Sequence, residues 1–80
     1  MSTSNPPQDF ALRGEHIALD ALLKATGLAG SGGAAKLLVV AGGVRVNGEV
    51  ELRRGRKLRA GDAVVVGNER IRVTGAPTDT

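Results

Sequence analysis

The sequence predicts an α+β fold, two short helices followed by about four strands. Three observations carry that reading. Leu19, Leu22 and Leu23 recur at helical spacing and stop at Gly27. Ser31 then opens a second run of helix formers that ends at Gly42 and Gly43. From Val44 onward, valines alternate with charged residues around an Asn-Gly pair. Eighty residues make one domain at most.

In chain order, residues 1–9 are polar and carry two prolines, so they are expected to form a disordered tail. Residues 75–80 (G-A-P-T-D-T) read the same way, leaving a folded unit over 10–74. Glu15 to Leu19 alternates polar and apolar, as in a short extended lead-in. Asp20 suits the positive end of the first helix. Gly27 suits a left-handed stop, with Leu28 as the closing apolar contact. Ser31 is an N-cap candidate for the second helix, in which Ala35, Leu38 and Val39 share one face. Gly32 and Gly33 cost helix propensity, about 1 kcal/mol each against Ala.

Val44 and Val46 predict a strand with Arg45 outward. Asn47-Gly48 is a type I′ hairpin signal, because both central residues need positive φ. Glu49 to Leu52 is expected to return as a strand with Val50 and Leu52 inward. Arg53 to Leu58 is too charged for a core and is expected to be a loop. A turn at Arg59 to Asp62 precedes a well-covered strand, Ala63 to Val66. Gly67-Asn68-Glu69 turns into Arg70 to Val73, with Ile71 and Val73 inward.

Composition narrows the function. The chain has no Cys, which excludes disulfides and thiolate metal sites and suits a reducing cytoplasm. No run is long and apolar enough for a membrane span, and no secretory signal opens the chain. A soluble, cytoplasmic protein with no membrane partner is expected. No acid/base pair accompanies a nucleophile, so no catalytic residues, no metal and no cofactor are expected, and the chain reads as a binding module. The lone His16 reads as a surface residue.

The net charge of +3 and a pI near 10.2 point to an anionic partner. Its distribution says more: five of the seven residues from Arg53 to Arg59 are Lys or Arg. Packed guanidinium and ammonium groups repel one another and match phosphate oxygens. The amino end of the second helix, with Ser31, Gly32 and Gly33 and with Lys36 one turn on, exposes backbone N–H groups to an anion or simply caps itself. It lacks the G-K-[ST] ending of a nucleotide-binding loop. Phe10 is the only aromatic residue, so stacking on aromatic faces is not available. Recognition by phosphate charge and by shape, as for structured RNA, fits better. An acidic protein surface is the alternative partner, with the chain as an adaptor.

The residues also resemble a family. L-D-A-L-L-K-A-T-G-L-A-G-S-G-G-A-A-K-L-L-V-V-A-G-G-V-R-V-N-G-E-V, followed by G-D-A-V-V-V, is similar to the alpha-L RNA-binding motif, the small domain first recognised in ribosomal protein S-four. The likeness covers about Ile17 to Val66. It rests on Leu19-Asp20, Ser31, Ala35, Gly42, Val44-x-Val46-Asn47-Gly48 and Gly61-Asp62 taken together. The S-G-G-x-A-K variant looks most like the short stand-alone YbcJ-type members. The resemblance implies two helices packed on a small, bent, mainly antiparallel sheet. It also implies an RNA face built from the second helix and the loop beside the hairpin, for ribosomal or transfer RNA. By position, Ser31, Gly32, Lys36, Arg45 and Asn47 fall on or near that face, and Arg53, Arg54, Arg56 and Lys57 border it. Many members carry Arg directly after the Ser, where this chain has Gly32. No catalytic domain accompanies the motif, and a monomer is expected.

Overall fold

A computed structural model describes residues 7–75. The expected tails at 1–6 and 76–80 lie outside the described residues. The elements in chain order are β1 (Gln8–Ala11), β2 (Ile17–Ala18), α1 (Leu19–Ala25), α2 (Gly32–Val40), β3 (Val44–Val46), β4 (Glu49–Val50), β5 (Lys57–Leu58), β6 (Ala63–Val66) and β7 (Glu69–Thr74). Five strands form one sheet in the order β1-β7-β6-β3-β4, antiparallel except for the β1–β7 pair. The other two, β2 and β5, pair antiparallel as a separate ribbon. Two helices and a mainly antiparallel sheet are the expected α+β architecture.

Both helices lie on one face of the sheet. Leu19, Leu22, Leu23, Ala35 and Val39 pack in one cluster with Val44, Val46, Leu58, Val64, Ile71 and Val73, all at most 2% exposed. The core is aliphatic throughout, and Phe10 is only half-buried at its margin. Aliphatic burial of this kind supplies most of the folding free energy of so short a chain.

Each helix ends as its residues dictate. The Ser31 Oγ accepts from the Ala34 N–H at 3.1 Å, capping α2. Gly42 sits at φ +80°, and the N–H groups of Gly42 and Gly43 donate to the carbonyls of Val39 and Leu38, both at 3.0 Å. That is the Schellman pattern of a left-handed glycine stop. The start of α1 differs. Ala18 offers no side-chain cap. The N–H groups of Leu19 and Asp20 instead donate to the carbonyls of Arg56 and Arg54, at 2.8 and 2.9 Å. The basic loop is therefore fastened by its backbone to the first turn of α1.

Four expectations need correction. First, the strands number seven rather than about four. β1 uses Gln8 and Asp9, which were assigned to the tail, because the edge of β7 lies open to parallel pairing. Second, Val50 and Leu52 point outward, at 47% and 58% exposure, while Glu51 is buried. The cause is register: the two-residue turn pairs Val46 with Glu49, so Glu49 and Glu51 take the inner face and Val50 sits beside Arg45 on the outer one. Third, Lys57 and Leu58 leave the loop to pair with Ala18 and Ile17, and Leu58 is fully buried. Fourth, only Val64 of β6 is buried, since the far side of the sheet has no covering layer among the described residues. No helix among the described residues is long and apolar enough to cross a membrane.

Candidate nucleic-acid interface

The loop between β4 and β5 is organised by one carboxylate. Register turns Glu51 inward, and its side chain is only 8% exposed. Its Oε1 accepts from Arg56 Nη1 at 2.8 Å, and its Oε2 accepts from the Arg53 backbone N–H at 3.0 Å and from Arg53 Nε at 3.1 Å. The Arg56 and Arg53 hydrogen bonds hold the carboxyl pKa down to about 2, against the opposing effect of burial. The same contact raises the pKa of Arg56. Satisfied on both oxygens, the carboxylate clamps a loop whose like charges would otherwise splay it.

This clamp divides the cluster of cations. Arg56, with its side chain 32% exposed, is spent on structure. Arg53 gives Nε to Glu51 and stays 77% exposed, so the outer edge of its guanidinium remains available. Arg54, Lys57 and Arg59 are exposed, with no ion pair among the described residues. The expectation that Arg56 is a contact of the same kind as Arg54 is therefore corrected by the Glu51 carboxylate.

Asn47 is committed as well. At φ +53° it forms the left-handed start of the hairpin turn, followed by Gly48 at φ +87°. Its Oδ1 accepts from the Ala63 N–H at 2.9 Å, and its Nδ2 donates to Asp62 Oδ1 at 3.1 Å. Asp62 Oδ2 accepts from the Arg59 N–H at 2.9 Å. Burial pushes the Asp62 carboxyl up, but the Arg59 N–H and the Asn47 amide outweigh it, and its pKa is lowered. Asn47 thus ties the hairpin tip to the turn before β6, which is why Asn-Gly and Gly-Asp occur together. Its expected place among RNA contacts gives way to this role.

Ser31, Gly32 and Lys36 lie at the amino end of α2. Ser31 is engaged in capping and Lys36 is exposed. A Cβ built on Gly32 meets no heavy atom within 4 Å, so the surface beside it is open. Arg45 stands apart. Val44 and Val46 face the helices, so Arg45 projects from the opposite side of the sheet. The expectation that it shares a surface with Lys36 is corrected by strand alternation.

A family model described as the S4 domain matches residues 10–74. The chain belongs to the S4 domain family. This S4 domain also matches the solution structure of YbcJ from E. coli, with a TM-score of 0.68 and 32% sequence identity over 92% of this chain and 95% of that one. The YbcJ structure was described as revealing an alpha-L motif involved in RNA-binding. No curated protein matches the chain. Within this S4 domain, sequence reasoning missed Glu51 as the anchor of the basic loop. The signal was present: a two-residue I′ turn sets the parity of every residue after it.

Proposed function

We propose that this S4 domain is a cytoplasmic RNA-binding protein that recognises structured RNA, ribosomal or transfer RNA, by phosphate charge and shape and without catalysis. The observation that carries the reading is a set of exposed cations, Arg54 and Lys57 with the outer edge of Arg53, on a loop pinned rigidly by Glu51 and by the α1 backbone. A pre-ordered loop loses little conformational freedom when phosphates bind. Lys36 on α2 extends the set. Arg56, Asn47 and Arg45 leave it: the first two hold the fold, and the third faces the other way. Family membership and the likeness to YbcJ support the choice of RNA among polyanions.

The adaptor reading keeps one observation in its favour. Leu37, Val40, Val50 and Leu52 are the exposed large hydrophobics, at 47–68% exposure. Such side chains serve protein contacts better than phosphate contacts. Purification of the tagged chain from cells, with and without ribonuclease, separates the two. RNA recovered with the chain, and partners lost on nuclease treatment, support the RNA reading. A nuclease-resistant partner set with no RNA refutes it.

A further inference from the structure

The sheet's outer face, unused above, is strongly one-sided in charge. Register places Val50, Arg45, Val65 and Arg70 in one row across β4, β3, β6 and β7, with Ala63, Arg72 and Asp9 in the next. Three of these seven side chains are arginines and one is acidic. Asp9 takes only the Nε edge of Arg72, at 3.4 Å, with both side chains more than 60% exposed. Arg45 and Arg70 have no ion pair among the described residues. Arg45 and Arg70 stand two strands apart, about 10 Å, and Arg70 and Arg72 about 7 Å apart along one strand. Between them the surface is concave. A recess of about 200 Å³ is floored by Ala63 and Val65 and walled by Arg70, Arg72 and Pro7. It is smaller than the roughly 300 Å³ at which sites for drug-sized ligands begin, and so suits a single planar ring.

We infer that this face is a second RNA contact, which takes an unpaired nucleotide flanking the structured element held on the loop side. Its base lies over Ala63 and Val65 against the guanidinium planes of Arg70 and Arg72, and its phosphates meet Arg45 and Arg70. Guanidinium planes stack on bases, which supplies what the missing aromatic residues do not. Like charges set side by side without carboxylates to balance them are relieved by a polyanion. An acidic peptide would satisfy the charge but would leave the apolar floor of the recess unfilled. The inference rests on the RNA-binding reading and adds a second side to it.

The test compares two labelled RNAs, a hairpin and the same hairpin with a six-nucleotide single-stranded extension, across a salt series. For the native chain, the extension is expected to tighten binding about tenfold, the effect of roughly one stacked base. Arg70→Gln/Arg72→Gln should abolish that gain, lower the salt slope on the extended RNA by about 1.4, and leave hairpin affinity unchanged. Both positions are exposed, and thermal melting verifies that the fold is kept. An extension without effect on the native chain overturns the inference, as does a double variant that retains the gain or weakens both RNAs alike. So does a poly-glutamate peptide that competes only for the extension's contribution and outbinds it. In each of these cases the hairpin still binds, and the RNA-binding reading stands. Failure of the native chain to bind either RNA would instead refute that reading itself.

Discussion

A single carboxylate decides how the basic loop behaves. Glu51 is stabilised as an anion, with its pKa lowered from 4.5 to about 2. A depressed carboxyl pKa adds stability that is fully present above about pH 4.5 and is lost as the pH falls toward 2. Urea unfolding should therefore show a marked loss of stability between those limits. Glu51→Gln keeps the shape and removes the charge. It is expected to cost about 1–3 kcal/mol at pH 7 and to flatten the acid limb, as measured by urea midpoints at pH 7 and pH 3. An unchanged acid limb in the variant would mean that the clamp does not act as described. The residue scale is also where sequence reading erred most instructively. Val50 and Leu52 were assigned inward because they are apolar, yet the Asn-Gly turn had already fixed their parity outward. Turn geometry outranks hydrophobicity when the two conflict over only two or three residues.

At the scale of elements, α2 was legible from end to end, because its signals are local: the Ser31 cap, the alanines and the Gly42 stop. The start of α1 was not. Its N–H groups are satisfied by carbonyls more than thirty residues away, and no local pattern encodes that. β1 was hidden for the same reason, since a polar strand pairing at an edge carries no hydrophobic period. The open surface at Gly32 leads to a prediction at this scale. Gly32→Arg fits without a clash and replaces a poor helix former. The propensity gain, about 1 kcal/mol, is offset in part by a cation near the positive end of the helix. Thermal stability should therefore change little. RNA affinity should rise, with the salt slope steeper by about 0.7 to 0.9, the signature of one further phosphate contact. A slope identical to that of the native chain would place α2 outside the interface.

The whole molecule is a two-layer body with cations on both sides, and its surface could be read from sequence only in part. That the chain is basic and where the charges cluster were plain. Which charges are free was not, because pairing depends on a carboxylate turned inward by register and on alternation that sends Arg45 away from the helices. The central claim is that the rigid loop's unpaired cations engage phosphates while Glu51 and Arg56 only hold the loop in place. Binding of a structured RNA hairpin by the native chain and by Arg54→Ala/Lys57→Ala, each measured across a salt series, tests it most directly. With about five phosphates engaged, the native slope of log affinity against log salt should lie near −3.5 to −4.5, and the double variant should lose about 1.4 to 1.8 of it. Equal slopes for the two proteins, or a native affinity insensitive to salt, would contradict the account.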